Sequence, residues 1–164
     1  MTKPQALQVT ARGDREIVMT RSFIAPRELV FRAFTEPALL KRWLLGPDGW
    51  SLAVCEIDLR VGGAYRYVWR RDSNGTEMGM AGVYREVSPP TRIVSTEKFD
   101  QAWYEGEAIG TVELDERDGI TTITQTLLYE SRNTRDAVLK SPMEEGVGAS
   151  YDRLEKVLSS MAPV

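Results

Sequence analysis

Residues 30–71 read VFRAFTEPALLKRWLLGPDGWSLAVCEIDLRVGGAYRYVWRR, and the order of elements in this stretch decides the fold. Leu29, Val30, Ala33 and Phe34 recur at helical spacing. That spacing predicts a helix over 27–35, opened by Pro26, whose missing N–H costs nothing at a helix start. Glu36-Pro37 breaks it and begins a second helix ending at Trp43, with Leu39, Leu40 and Trp43 on its buried side. Gly46-Pro47-Asp48-Gly49 is a turn. From Trp50 to Glu130 the helical period disappears, and strand-like runs alternate with turn signals. Two short helices feeding a long antiparallel run predict a sheet curved around a cavity.

Working outward, residues 1–14 are polar and aperiodic, which predicts a frayed N-terminal arm ahead of one domain over 15–164. EIVMTRSF (16–23) reads as the first strand. Asn74-Gly75 is a two-residue hairpin signal. It would set Trp69 opposite Met80, Tyr67 opposite Gly82 and Tyr65 opposite Tyr84. Pro89-Pro90 ends the fourth strand, and residues 100–105 form a loop carrying Trp103 and Tyr104. Asp118-Gly119 is a second hairpin turn. It pairs Leu114 with Ile123, Val112 with Gln125 and Gly110 with Leu127, and leaves Glu113, Asp115, Thr122 and Thr124 on the solvent side. The expected total is seven strands.

The chain then turns helical. A short helix over 134–140 precedes a long one, for which Ser141-Pro142-Met143-Glu144 reads as a capping box. Met143, Val147, Tyr151, Leu154, Val157, Leu158 and Met161 form its apolar stripe. Gly146 and Gly148 each cost a helix about 1 kcal/mol against Ala. Close approach of a strand or a ligand would offset that. The fold class is α+β, a curved antiparallel sheet wrapped on a C-terminal helix.

Composition removes whole classes of chemistry. The 164 residues suit one domain with one core, and the net charge is −3. A mildly acidic chain is a poor partner for nucleic acid, whose phosphates demand Lys and Arg. No apolar run approaches the roughly 20 residues that a membrane span needs, and the polar N-terminus has no signal-peptide core, so a cytoplasmic location is expected. With no histidine, this chain cannot build a serine–histidine or cysteine–histidine triad or an imidazole-ligated metal site. Its single cysteine, Cys55, lies in the apolar run SLAVCEIDL and reads as core. There is no Walker or dinucleotide pattern, and no cofactor is expected. The acidic residues Glu113, Asp115, Glu116 and Asp118 split across two faces around a turn and read as a solvated edge.

Strand, two short helices, six antiparallel strands and a long helix is the order of the helix-grip fold, shared by START domains and the birch-pollen-allergen group (SRPBCC). Several segments resemble one branch of it, proteins similar to the C-terminal domain of the activator of the 90-kDa heat-shock-protein ATPase. These are Val30–Thr35 with Glu36-Pro37, Leu40–Trp43 with Gly46-Pro47, Cys55–Arg66, Gly82–Val87 with Pro89–Ile93, and Gly146–Leu158 with Tyr151-Asp152-Arg153-Leu154. The resemblance implies a cavity between sheet and last helix. It does not imply one reaction, because function belongs to sites. The activator's chaperone-engaging N-terminal domain has no room here, so a chaperone partner has weak support.

The inward faces supply a candidate ligand-binding set. Tyr65, Tyr67, Trp69, Met80 and Tyr84 come from one hairpin, and Val112, Leu114, Ile123, Gln125 and Leu127 from the other. Trp43 and Trp50 could close one end, and Trp103 and Tyr104 stand at the rim. The last helix adds Met143, Val147, Tyr151 and Leu154. Such rings suit a small hydrophobic or aromatic molecule, although the same residues could equally fill a core. Gln125 is an amide on an apolar face, needing a partner from the protein or from a ligand. Glu97 alternates with Ile93, Ser95 and Phe99. If that phase points inward, burial raises its pKa and makes it the candidate catalytic acid or base. An ion pair with Arg66 or Arg70 is the competing reading. Three functions therefore stand in order: ligand binding, a cyclase- or hydrolase-type enzyme in the same pocket, and a chaperone-interaction module. A homodimer through a sheet edge or helix is compatible with each.

Overall fold

The computed structural model describes residues 6–101, 104 and 106–161. Its elements are β1 (Gln8–Arg12), β2 (Glu16–Ile24), α1 (Arg27–Thr35), α2 (Pro37–Trp43), β3 (Trp50–Ile57), β4 (Ala64–Arg71), β5 (Glu77–Ser88), β6 (Arg92–Phe99), β7 (Ala108–Arg117), β8 (Ile120–Leu128), α3 (Arg132–Lys140) and α4 (Met143–Met161). All strands join one antiparallel sheet in the order β1-β2-β8-β7-β6-β5-β4-β3. Helices α1, α2 and α4 share its inner side.

The sheet has eight strands where seven were expected. The extra one is β1, drawn from the segment read as an arm. It pairs with β2 from Gln8↔Thr20 to Arg12↔Glu16. Four of its five residues are exposed, so it carries no apolar alternation. Backbone pairing holds it instead, and the buried Arg135 guanidinium fixes the turn by donating to the Gly13 and Glu16 carbonyls, each at 3.0 Å.

The β4–β5 register also differs. Arg70 pairs with Glu77, so Trp69 faces Met78, Tyr67 faces Met80 and Tyr65 faces Gly82. The connection is the four-residue loop 72–75, closed by Arg71 N–H donating to the Thr76 carbonyl at 2.8 Å. Asn74 Oδ1 accepts from the Thr76 N–H at 3.0 Å, and this side-chain turn takes the place of a two-residue hairpin. The slip is two residues, so every side chain keeps its face. The β7–β8 register matches expectation: Leu114↔Ile123, Val112↔Gln125 and Gly110↔Leu127.

Glu36 ends α1 and precedes Pro37 at the start of α2. Trp43 is 1% exposed, and its indole N–H donates to the Ala33 carbonyl at 2.9 Å. Ser131 caps α3 by accepting from the Thr134 N–H, which starts that helix earlier than position 134. Ser141 does not cap α4; its hydroxyl donates to the Val138 carbonyl at 2.6 Å and closes α3. On α4, Tyr151, Leu154, Val157 and Leu158 are buried. The turn after α2 is fastened to this helix by Ser150 Oγ, which accepts from the Gly46 N–H, and by Arg153, which reaches the Gly46 carbonyl and Asp48.

No tight approach accounts for the two glycines of α4. A Cβ at Gly146 would stand 3.6 Å from Pro47 Cδ, and one at Gly148 would stand 3.7 Å from Leu7 Cδ2. Both are ordinary contacts. Gly82 is the opposite case: a Cβ there would run into the Thr96 carbonyl oxygen and stand 2.7 Å from the Tyr65 ring. Gly148→Ala is therefore expected to stabilise the protein by about 0.5–1 kcal/mol and to raise its melting temperature by roughly 1–4 °C. Gly82→Ala should destabilise it by about 1–3 kcal/mol. Thermal and urea melts of the two variants check both signs.

Candidate functional site

The interior contains two apolar clusters. The first gathers Phe23, Val30, Phe31, Leu40, Trp43, Tyr65, Tyr67, Tyr84, Ile93, Leu114, Ile123, Tyr151, Leu154 and their neighbours. The second gathers Ile17, Met19, Ala108, Leu127, Tyr129 and Val138. Leu7 and Val147 touch both. Along β8 the clusters are separated by Gln125, which lies between Ile123 and Leu127, and along β7 by Gly110.

The registers extend this separation into a belt. Ser95 pairs with Tyr84 on one side and Gly110 on the other, and Glu97 pairs with Ala108. The same β5–β6 register brings Gly82 opposite Glu97. Gln125, Gly110, Ser95, Glu97 and Gly82 thus cross the concave face diagonally, small or polar throughout. With Ile93 in the first cluster, the phase of β6 that carries Glu97 points inward.

Glu97 folds over Gly110, with Oε2 2.5 Å from where a Gly110 Cβ would be. Arg66 and Arg70, the partners that the sequence offered, are spent elsewhere. Arg66 donates to Asp100 at 2.7 Å, and Arg70 donates to Glu77. Among the described residues the Glu97 carboxyl makes no hydrogen bond and no ion pair. Burial alone pushes its pKa up to about 7, and yet Glu97 keeps part of its surface open.

Tyrosines surround it. Burial raises the hydroxyl pKa values of Tyr65, Tyr67, Tyr104 and Tyr129, with Tyr104 reaching about 12, and the Glu97 charge adds to each. Tyr65 donates to the Thr96 carbonyl at 2.6 Å. Tyr151 donates to Gln125 Oε1 at 3.0 Å, which leaves the Gln125 amide nitrogen without a partner among the described residues. Cys55 is buried and its thiol is pushed up to about 11 by burial, the state of an inert core thiol.

The candidate residues divide by position. Trp43, Tyr65, Tyr67, Tyr84 and Tyr151 are buried in the first cluster in ring contact, Tyr65–Tyr67 at 4.9 Å and Trp43–Tyr151 at 6.0 Å between centroids. Trp69 and Met80 pack on its flank, and the Trp69 indole donates to the Leu44 carbonyl. Met143 packs on the second cluster. Trp50 stands opposite Arg71 at the start of edge strand β3 and belongs to neither cluster. Trp103 lies outside the described residues. Gly82, Ser95, Ala108, Gly110 and Tyr129 were not singled out from sequence. Carrying the strand registers from β5 through β8 would have gathered them around Glu97.

A curved antiparallel sheet closed over a terminal helix, with two short helices after its first long strand, defines the helix-grip class. Within it, the chain belongs to the family of activator of Hsp90 ATPase homolog 1-like proteins, whose model matches residues 24–159. A crystal structure from Rhodobacter sphaeroides is similar over 95% of this chain and 99% of that one, with 29% identity and a TM-score of 0.89. One from Chromobacterium violaceum is 30% identical over 87% and 96%, with a TM-score of 0.72. One from Nitrosomonas europaea is 27% identical over 92% and 98%, with a TM-score of 0.80. No curated protein matches. Among the described residues, no helix is long and apolar enough to cross a membrane.

A carboxyl whose pKa is raised on folding binds its proton more tightly in the native state. Between its ordinary value of 4.5 and about 7, rising pH therefore removes stability. Glu97→Gln should remove that loss, making the variant more stable than the native protein at pH 8 by on the order of 1–3 kcal/mol, with a smaller gap at pH 5. Urea denaturation midpoints at the two pH values test it.

Proposed function

We propose that this protein binds a small, largely apolar or aromatic molecule between the sheet and α4, with Glu97 and Gln125 addressing its polar atoms. The observation that carries this reading is the Glu97 carboxyl, inward-facing, part-open and without a partner among the described residues, in a belt of small or polar residues between two apolar clusters. A group of that kind costs stability unless something answers it. The ring-rich first cluster and the largely aliphatic second one suit an apolar body, and polar anchors among apolar walls are the usual composition of a small-molecule site. Membership in the helix-grip class agrees with this.

The uncharged dye N-phenyl-1-naphthylamine tests it. Saturable fluorescence enhancement at one dye per chain is expected, with a dissociation constant of about 1–100 μM and a rise in melting temperature. Val147→Phe, which brings a ring from α4 between the clusters, should weaken binding at least tenfold. An absence of saturable signal from the native protein contradicts the reading.

The same carboxyl supports a second reading, acid–base catalysis. A group with a pKa of about 7 can both accept and donate a proton near neutral pH. On that reading, Glu97→Gln abolishes turnover of a substrate that the variant still binds, and unchanged turnover removes Glu97 from the chemistry.

A further inference from the structure

The interior has a sign as well as a shape. Glu97 is an acid, and among the described residues no cation faces it. Arg66 and Arg70 of β4 are paired with Asp100, just after β6, and Glu77 of β5. Arg21, the buried cation of β2, is held by Asp152 and Glu155 of α4 at 2.8 and 3.0 Å. Arg135 of α3 is committed to Asp136 and to the Gly13 and Glu16 carbonyls. Among the described residues, the titratable groups within electrostatic reach of Glu97 are Tyr65 and Tyr67 of β4, Tyr104 of the loop before β7 and Tyr129 after β8. All four are neutral rings.

Resting on the reading above, we propose that this site selects apolar molecules that carry one protonated amine. The ammonium would donate to the Glu97 carboxylate beside Gly110, and the apolar body would lie along the belt between the clusters. Three physical terms favour this occupant. A charge-assisted hydrogen bond to a carboxylate is about twice as strong as a neutral one. The bound cation supplies the counter-charge that the fold withholds, so the site need not keep an unanswered buried charge. Aromatic rings attract cations through their negative faces. A ligand carboxylate meets the reverse, a like charge at Glu97 with no arginine among the described residues to receive it.

Three compounds with one aromatic body separate the possibilities: 1-naphthylmethylamine, 1-naphthylmethanol and 1-naphthoic acid, titrated calorimetrically into the native protein and Glu97→Gln at pH 7.5. The native protein is expected to bind the amine at least tenfold more tightly than the alcohol, and the acid least tightly. Glu97→Gln should bring the amine down to the level of the alcohol. The variant removes a buried charge, so it should fold. Binding of the acid as tight as that of the amine, or an amine preference that survives Glu97→Gln, overturns the proposal. If amine and alcohol bind equally, amine selection fails and ligand binding stands. If none of the three binds and the dye is also refused, both readings fail.

Discussion

Tyr151 is the contact through which the parts of this molecule meet. Its ring packs edge-on against Phe23 of β2 at 5.8 Å and Phe34 of α1 at 6.5 Å, and lies 6.0 Å from Trp43 of α2. Its hydroxyl bonds Gln125 of β8. One side chain of α4 thereby joins two helices and two strands that are distant in sequence. Burying so large a ring is favourable only if its oxygen finds a partner, and Gln125 is that partner. The polar residue on the concave face is thus part of what seats the helix. It also marks where the first apolar cluster stops.

Beyond Gln125 the inner face changes character. Gly110, Ser95, Glu97 and Gly82 replace the branched and aromatic residues that would otherwise continue the core. Small residues give up dispersion contacts, and an interior carboxyl gives up solvation. Both choices lower stability. Departures of this kind from good packing concentrate where a protein does something other than fold. Gly82 also shows that the belt is built: its missing side chain is what allows the Tyr65 ring to lie on β5 and reach the Thr96 carbonyl.

How much of this could be read from sequence depended on where the signal lay. The β7–β8 hairpin was legible because Asp118-Gly119 fixes a turn and the strands alternate cleanly. The β4–β5 hairpin was displaced by two residues because the Asn74 side chain enters the turn, which a dipeptide rule does not see. Strand β1 was invisible because backbone hydrogen bonds hold it and buried side chains do not. The spacing of Glu97 with Ile93 put the two on one face but left open which way that face points, and the place of Ile93 in the first cluster decides it. The isolation of Glu97 was not legible either, because that depends on Asp100 and Glu77 taking the two arginines across strand pairs. Trp50 was placed by its chemistry alone, and the start of an edge strand carried it away from the belt.

The electrostatic state of Glu97 is the hinge of the whole picture, and carbon-13 NMR reads it directly. With the glutamate side-chain carboxyl carbons labelled and Glu97 assigned by comparison with Glu97→Gln, its resonance in the ligand-free protein should titrate with a midpoint near 7. The ordinary value of a glutamate carboxyl is 4.5. A midpoint for Glu97 at that same ordinary value would mean that water or an ion-pair partner already satisfies the carboxyl, and the interior would then hold no unanswered acid for a guest to meet.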